Sequence, residues 1–490
     1  MAEPMPIVDA IRAYTKQKIV RFHMPGHKGG MAAGDAIRDF LGASVFSADV
    51  TNVPGMDDLH QPTGAIRKAE ELAARTFNAD SSYFLINGSS CGVMALIMAI
   101  CNPGEKILVP RNMHRSMLSG IILSGAYPVF FRPVYDIELF LPLAVKPETI
   151  SDALKAHPDA RAVFLISPTY NGITSDISAI ADIVHGHGIP LVVDEAHGPH
   201  LGFHELLPHS ALHDGADAVV HGTHKILTSF TQASMLHVKG ERVDRARLEQ
   251  SLRIIQSTSP SYLLMASLDA ARADMASRGR EMLERAIFIS ERLRTQCNSI
   301  PGVFSFDQKW ASSKGAAGLD STKVTITVKK LGVTGLWTEK WLREKYGVQV
   351  EMSDPLNVLA MVTSGNTSEE VDQLITGLKN IPVLARNFIE TGPLLLRMTP
   401  SAGQPPEAPM IVTPREAFFA PSTPVLLEKA KGRVSAETVA VYPPGIPAIC
   451  PGEEITGEII DYLVVARRME MHFQGPKDPK LDFIRVLRDR

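Results

Sequence analysis

Short, almost continuously apolar segments alternate with amphipathic ones between residues 62 and 240. The apolar segments are rich in β-branched and aromatic residues: SSYFLI, KILVP, YPVFFRP, AVFLIS, IPLVVD, ADAVVHG and SMLHV. Strands without alternating polar positions are typical of a parallel sheet that helices cover on both faces. The pattern therefore predicts an α/β domain with a mostly parallel, doubly wound sheet.

Helical spacing of apolar residues marks the segments between these strands, such as PTGAIRKAEELAARTF, SSCGVMALIMAI and DISAIADIVHGHG. After residue 300 the pattern changes, because STKVTITVKK predicts a strand, and TGLWTEKWLREKYG and SEEVDQLITGLKNI predict amphipathic helices. We therefore divide the chain into an N-terminal arm (residues 1–61), a large domain (62–300), a small α+β domain (301–400) and a C-terminal segment (401–490).

The composition is that of a soluble globular protein, with 490 residues, 45% hydrophobic residues and a net charge of −3. This charge gives no reason to expect nucleic acid or an anionic membrane as a partner. No secretory signal is visible, and the longest apolar run, CGVMALIMAIC, is shorter than the roughly 20 residues that span a bilayer. Four cysteines without a CxxC pair indicate a reducing compartment. We expect a cytoplasmic protein.

The segment INGSSCGVMAL places Ser89 and Ser90 between a predicted strand and a predicted helix. Backbone N–H groups and hydroxyls at a helix N-terminus favour an anion such as phosphate, because the helix dipole is positive there. The segment is neither a Walker loop nor a GxGxxG fingerprint. A serine N-cap without a ligand is the alternative interpretation.

Two further polar groups follow predicted strands. Asp194 ends the strand of LVVDEAH, at the edge of the sheet where ligands bind in α/β proteins. It could pair with a cationic ring nitrogen, coordinate a metal, act as a base or cap the following turn. Lys225 follows Thr223 and His224 in ADAVVHGTHKIL. It is either a solvated charge or a Schiff-base nucleophile.

The segment DEAHGPHLGFH contains three histidines, which raises the question of a metal site. His200 and His204 have i,i+4 spacing, but Gly198, Pro199 and Gly202 argue against a helix that would hold them on one face. The HExxH motif is absent. Phosphate donors, a strand-end aspartate and a downstream lysine are instead the parts that a pyridoxal phosphate (PLP) site requires. We therefore expect PLP and no metal.

Eight motifs together resemble the Orn/Lys/Arg decarboxylases of PLP fold type I, which have the aspartate aminotransferase-like fold: FHMPGHKGG, PRNMHRSMLSG, SPTYNG, VDEAHG, THK, QASMLHVKG, STSPSYLLMASLD and YPPGIPAICPGE. The resemblance covers nearly the whole chain. The long N-terminal wing domain of the acid-inducible enzymes is missing, so the chain resembles the short biosynthetic branch, which is arginine decarboxylase-like. Many relatives have serine where this chain has Gly222, which puts one phosphate contact in doubt.

The resemblance implies roles for residues around the cofactor ring. Lys225 would hold the aldehyde as an imine, and Asp194 would pair with the pyridine nitrogen. His114, in PRNMHRSMLSG, matches the histidine that stacks on one face of the ring. Ala196 would pack against the other face, with His197 beside it.

Further residues are implied at the edge of the cofactor. Thr169 falls where a residue approaches the ring hydroxyl, and Thr258 falls where these enzymes reach into the site of the neighbouring subunit. The phosphate end is assigned to Ser89 and Ser90, with Thr223 and His224 nearby. The resemblance therefore implies a homodimer or higher homo-oligomer with shared active sites.

The expected reaction is decarboxylation of a basic amino acid, with L-arginine giving agmatine and CO2 for polyamine biosynthesis. Lysine or ornithine is the alternative substrate. His224 and Lys225 are both candidate donors of the proton to the product carbon. Candidate carboxylates for the substrate guanidinium are Asp57, Asp58 and Glu407.

Two other classes of protein stay open. A fold type I aminotransferase or lyase would grip the substrate carboxylate with an arginine, for which Arg397 and Arg415 are candidates. A regulator that binds PLP or a metal without catalysis is the third interpretation, and the complete set of lysine, aspartate and histidine argues against it.

Overall fold

The computed structural model describes residues 3–17, 19–381, 405–442, 445–468 and 471–488. The chain begins with three helices: α1 (Pro6–Thr15), α2 (Asp35–Leu41) and α3 (Ala43–Ala48). Strands and helices then alternate in this order: α4 (Ala65–Thr76), β1 (Ser81–Leu85), α5 (Gly88–Ile100), β2 (Lys106–Pro110), α6 (Arg115–Ser124), β3 (Tyr127–Phe131), β4 (Tyr135–Asp136), β5 (Leu141–Pro142), α7 (Pro147–Ala156), β6 (Val163–Ile166), β7 (Ile173–Thr174), α8 (Ile177–Gly186), β8 (Leu191–Asp194), β9 (Ala218–His221), α9 (Thr223–Ile226), β10 (Ser234–Val238), α10 (Arg245–Ile255) and α11 (Tyr262–Asn298).

A seven-stranded sheet forms the centre of the molecule, in the strand order β1-β10-β9-β8-β6-β2-β3. The five strands from β9 to β3 pair in parallel, whereas β10 is antiparallel to both of its neighbours. Each of the seven apolar segments found in the sequence supplies one strand. The prediction of a mostly parallel α/β sheet is therefore confirmed.

Helices cover both faces of this sheet, and successive strand residues point to opposite faces. Phe164 of β6 and Val192 of β8 belong to the core that includes residues of α5, α6 and α10. Their neighbours Leu165 and Val193 belong to the core that includes residues of α7 and α8. Because both faces are apolar and buried, the strands read as continuous hydrophobic runs.

A smaller α+β unit follows, with these elements: α12 (Gln308–Ser313), β11 (Gly318–Leu319), β12 (Lys323–Thr327), α13 (Gly335–Tyr346), β13 (Met352–Ser353), β14 (Asn357–Met361) and α14 (Ser368–Lys379). Strands β12, β14 and β13 form an antiparallel sheet that shares one core with α13, α14 and the end of α11. The predicted strand and the two predicted amphipathic helices of this unit are present as β12, α13 and α14.

The last part of the chain has these elements: α15 (Pro414–Phe419), β15 (Ser422–Leu426), β16 (Val439–Tyr442), β17 (Ile446–Ile449), α16 (Gly457–Arg468), β18 (His472–Gln474) and β19 (Phe483–Leu487). All of these except α15, which packs against α6, contribute to a separate core. Strand β15 pairs with β19, and β16 lies between β17 and β18. Among the described residues, no helix combines the length and the apolar character that a membrane span requires.

Candidate active site

A cavity of about 250 Å³ opens beside the carboxyl ends of β6 and β8 and the N-termini of α5 and α6. This is the edge of the sheet where ligands bind in α/β folds. Nine of the predicted site residues line it: Ser89, Ser90, His114, Thr169, Asp194, Ala196, His197, His224 and Lys225. Thr223 is fully buried and does not line the cavity, and Thr258 is exposed outside it.

Ser89 and Ser90 lie in the first turn of α5, not before it. Asn87 is the N-cap residue, and no side chain caps this end of the helix. Gly88 has a φ of +77°, a left-handed backbone conformation that favours glycine. The first N–H groups of α5 therefore face the cavity end without a side-chain partner, which leaves them available to an anion.

Lys225 and His197 are in direct polar contact in the cavity. Nζ of Lys225 lies 2.8 Å from Nε2 of His197, and 5.6 Å from the centre of the Tyr170 ring. Burial holds the pKa of His197 well below its ordinary value, and the charge of Lys225 lowers it further. The imidazole is therefore neutral and accepts a hydrogen bond from Lys225. Burial also lowers the pKa of the Lys225 ammonium, while Asp194 and Glu351 oppose that shift.

Asp194 and His114 each accept a hydrogen bond from a backbone N–H two residues further along the chain. Oδ1 of Asp194 accepts the N–H of Ala196 at 3.2 Å, and Oδ2 makes no hydrogen bond within the described ranges. His114 is the N-cap of α6, and its Nδ1 accepts the N–H of Ser116 at 3.3 Å. Burial lowers the pKa of His114, and the nearby charge of Asp194 partly restores it. Each side chain thus keeps one polar atom for the cavity.

The remaining threonines and His224 differ in their bonding. Oγ1 of Thr169 accepts the N–H of Ile173 at 3.2 Å, and Nδ1 of His224 donates to the carbonyl of Ala233 at 3.0 Å. Oγ1 of Thr223 is buried and has no hydrogen-bond partner among the described residues, which is unusual for a polar atom inside a protein.

These groups match the parts of PLP in their chemistry. The amine of Lys225 suits an aldehyde, and the free oxygen of Asp194 suits a protonated ring nitrogen. The uncapped end of α5 suits the phosphate. The residues present therefore fit this cofactor.

Several cavity residues escaped the sequence analysis. Tyr170 packs on His197, with ring centres 4.2 Å apart, and burial raises its pKa to about 12. Its position beside Thr169 in SPTYNG was the available signal. Gly445 and Ile446, at the start of β17, also line the cavity. No local pattern connects them with residues more than 200 positions earlier.

Glu195 is structural although it neighbours Asp194. Its carboxylate lies 2.9 Å from Nε2 of His221 and accepts hydrogen bonds from Oγ of Ser210 at 3.0 Å and the N–H of Ala211 at 2.8 Å. All of its oxygens are therefore occupied within the protein interior.

His200 belongs to a buried charged network instead of a metal site. Its Nε2 lies 3.1 Å from Oδ2 of Asp320, and Nζ of Lys323 lies 3.2 Å from the same oxygen. Burial alone would raise the pKa of Asp320, but His200 and Lys323 outweigh it and hold this pKa well below its usual range. Lys323 also contacts the carbonyl of His197 at 3.4 Å, so the network supports the cavity wall.

A different group of side chains has metal-ligand spacing. Within the part of the chain that the structure describes, His209, His213 and Asp214 form the one group of three such residues whose ligand atoms lie within 4.8 Å of one another. Both histidines are exposed, and none of the three lines the cavity of Lys225.

The candidate ion-pairing residues lie elsewhere. Asp57 accepts N–H groups at the start of α4, including those of Thr63 and Gly64. Glu407 pairs with Arg132 at 3.2 Å. Arg415 donates to the carbonyls of Ile122 and Leu123. The cavity is not lined by Asp57, Asp58, Glu407 or Arg415. Arg397 lies outside the described residues.

Known proteins resemble this chain over its whole length. An arginine decarboxylase of Bacillus subtilis is 39% identical over 486 residues, which cover 99% of this chain and 98% of the relative. An arginine decarboxylase of Halalkalibacterium halodurans is 40% identical over 488 residues, with the same coverage. A constitutive lysine decarboxylase of Escherichia coli is more distant, at 27% over 568 residues, 96% of this chain and 78% of the relative.

The structural comparison agrees. The solved structure of the E. coli constitutive lysine decarboxylase matches with a TM-score of 0.84 and 23% identity, over 99% of this chain and 82% of the other. The fold is that of the PLP fold type I enzymes. The family model of the Orn/Lys/Arg decarboxylase major domain matches residues 5–370, and that of the C-terminal domain matches residues 406–478. The chain therefore belongs to the Orn/Lys/Arg decarboxylase family.

Proposed function

We propose that this protein decarboxylates L-arginine to agmatine and CO2, a step that supplies a polyamine precursor, with PLP held in the cavity of Lys225. The observation that carries the proposal is the arrangement around that amine. Lys225, Asp194 and His114 share one cavity with the uncapped N-terminus of α5. The similarity to arginine decarboxylases along nearly the whole chain supports arginine over lysine.

The chain supplies a nucleophile for cofactor attachment. Burial lowers the pKa of the Lys225 ammonium, which favours the neutral amine that attacks an aldehyde. His197 is neutral and accepts a hydrogen bond from Nζ, so it orients this amine within the cavity. Lys225 would hold the aldehyde of PLP, with His197 positioning its amine.

The other residues would bind and orient the cofactor. Asp194 would hold the proton on the ring nitrogen, His114 would cover one face of the ring and Ala196 the other. The first turn of α5, with Thr223 and His224 behind it, would bind the phosphate. When bound, PLP supplies a protonated ring that accepts the electron pair released with CO2.

Two groups compete as donors of the proton to the product carbon. Lys225 carries its amine inside the cavity, 2.8 Å from Nε2 of His197. His224 also lines the cavity and uses Nδ1 for the carbonyl of Ala233, which leaves Nε2 for proton transfer. We keep both as candidates.

A substrate panel tests the proposed reaction. The PLP-loaded protein is incubated separately with L-arginine, L-lysine and L-ornithine, and both CO2 and the amine product are measured. We expect the highest kcat/KM for arginine, with agmatine and CO2 in equal amounts. A higher kcat/KM for lysine or ornithine would instead support the alternative substrates, and a keto acid product would indicate an aminotransferase.

A variant of the nucleophile tests the site. Lys225→Ala should lose the visible absorption of lysine-bound PLP together with turnover. Lys155→Ala removes an exposed lysine of α7 and should retain both. Absorption that persists in Lys225→Ala would show that another amine holds the cofactor.

We further propose a homo-oligomer with shared active sites, in which Thr258 contributes to the site of a second subunit. The exposure of Thr258 outside the cavity is compatible with that role. We also propose a cytoplasmic location and domain boundaries after residues 61, 300 and 400. These proposals rest on the composition and on the changes of pattern along the sequence. The four cysteines, all buried and unpaired, support a reducing compartment.

A further inference from the structure

A second cavity, of about 510 Å³, lies on the other side of Lys225. Lys225 is the one residue that lines both this cavity and the cavity of the predicted cofactor residues. The second cavity is formed mainly by α14, the segment before β13 and the end of β14. A substrate attached near the Lys225 amine could therefore extend its side chain into this space.

The charged and amide side chains in the wall of this cavity form hydrogen bonds with other parts of the protein, except that of Glu351. Glu370 completes the capping box of α14. The amides of Gln349 and Gln373 donate to Glu339 and to the carbonyl of Tyr346. Glu351 is exposed in the cavity and makes no side-chain hydrogen bond or ion pair within the described residues.

The position of Glu351 is fixed by the small sheet. Its backbone N–H donates to the carbonyl of Leu359 at 2.9 Å, so the residue extends the pairing of β13 with β14. Its negative charge acts on Lys225, as does that of Asp194. Each of the two carboxylate residues therefore lines one of the two cavities that Lys225 borders.

The surroundings of Glu351 suit a long aliphatic side chain with a cationic end. Val348, Val350 and Val362 line the same cavity, together with Leu293. Apolar walls can contact methylene groups while a carboxylate binds the terminal charge. A guanidinium can form two parallel hydrogen bonds to a carboxylate, and an ammonium forms a simpler ion pair.

We propose that Glu351 binds the distal cationic group of the substrate and thereby determines the preference of the enzyme for basic amino acids. This inference rests on the proposed decarboxylase function and names the residue that selects the substrate. It replaces the candidates Asp57, Asp58 and Glu407, none of which lines either cavity.

The test compares PLP-loaded wild type, Glu351→Gln, Glu351→Asp and the control Glu344→Gln. Glu344 is an exposed carboxylate of α13 that lines neither cavity. Steady-state kinetics are measured with L-arginine, L-lysine, L-ornithine and L-citrulline, the uncharged isostere of arginine. Binding of agmatine is measured separately by calorimetry, which does not require turnover.

We expect Glu351→Gln to raise the KM for the preferred cationic substrate about 10- to 100-fold, with a much smaller change in kcat, because a charged hydrogen-bonded contact is lost. The preference for arginine over citrulline should fall by a similar factor. Glu351→Asp should lie between wild type and Glu351→Gln. The dissociation constant of agmatine should rise in Glu351→Gln and stay at the wild-type value in Glu344→Gln.

The two proposals fail in different ways. If wild type prefers lysine or ornithine, the arginine assignment fails, and a higher KM for that substrate in Glu351→Gln still supports the role of Glu351. If wild type decarboxylates arginine and the KM stays within twofold in both Glu351 variants, the role of Glu351 is overturned. If no substrate is turned over, unchanged agmatine binding in Glu351→Gln overturns it.

Discussion

Arg111 and Glu453 form a buried, bidentate ion pair between the central α/β unit and the C-terminal part of the chain. Nη1 of Arg111 lies 2.5 Å from Oε1 of Glu453, and Nη2 lies 3.0 Å from Oε2. Nη2 also donates to the carbonyl of Ala448 at 3.0 Å, and the N–H of Cys450 donates to Glu453 at 2.7 Å. Arg111 directly follows β2, three residues before His114. The pair thus attaches β17 beside the cavity.

Replacing Glu453 by Gln should destabilise the protein strongly. The variant leaves the guanidinium of Arg111 buried without a charged partner, which costs about 3–5 kcal/mol in comparable cases. Unfolding by urea, followed by tryptophan fluorescence, measures the loss. Glu407→Gln is the matched control, because Glu407 is 86% exposed in its pair with Arg132, and exposed pairs contribute about 0–1 kcal/mol. Equal losses in the two variants would contradict this role of burial.

Glu70 should make stability depend on pH. Burial raises its pKa from 4.5 to about 8, and its carboxyl accepts the N–H of Phe84 at 3.0 Å. Because the folded-state pKa is the higher one, this contribution to stability is fully present below pH 4.5 and is lost as the pH rises through about 8. Glu70→Gln cannot ionise, so it should become more stable than wild type as the pH rises, by a few kcal/mol at pH of about 9.

Urea unfolding at intervals between pH 5 and pH of about 9 measures this difference in the free energy of unfolding. Glu71→Gln serves as the control, since Glu71 lies on the same helix but is exposed and paired with Arg67. A parallel pH dependence in wild type and Glu70→Gln would show that Glu70 is not the titrating group.

Asp194→Asn should retain PLP but lose most turnover. An amide cannot hold the proton on the ring nitrogen as a carboxylate does, and removal of one such preorganised electrostatic group lowers kcat on the order of 10²–10³-fold. Visible absorption measures bound cofactor, and CO2 release measures kcat. Asp182→Asn, an exposed substitution on α8, should leave both unchanged. A kcat of Asp194→Asn close to wild type would refute the role of Asp194.

Gly222→Ser should impair the site, because the added side chain has little room. A Cβ at residue 222 would lie 2.8 Å from the carbonyl oxygen of Ala196 and 3.0 Å from Cδ of Lys225. Such overpacking costs about 1–3 kcal/mol. We expect a lower melting temperature and weaker PLP retention in dialysis. Gly186→Ser, where no atom lies within 4 Å of the added Cβ, is the control. Tighter PLP retention in Gly222→Ser would instead indicate a restored phosphate contact.

The strands of the central sheet, and the choice of Lys225 and Asp194 as candidate site residues, could be predicted from the sequence. Continuous apolar runs and helical spacing are local properties, so they predict strands and helices without knowledge of their neighbours. The ends of β8 and β9 lie at one edge of a parallel sheet, which brings Asp194 and Lys225 together once the topology is known. The strand ends thus carry functional information in the sequence itself.

Pairings between distant residues were decided only by the tertiary structure. His197 lies 28 positions from Lys225, and Glu453 lies 342 positions from Arg111. The sequence argued against a metal site at His200 but named no partner for it, and folding places it 3.1 Å from Asp320, with both side chains fully buried. Burial and partner together set the charge and the role of a titratable side chain. The sequence by itself therefore determined the strands, helices and candidate residues. Only packing determined which carboxylate near Lys225, that of Glu351, has no hydrogen-bond or ion-pair partner among the described residues.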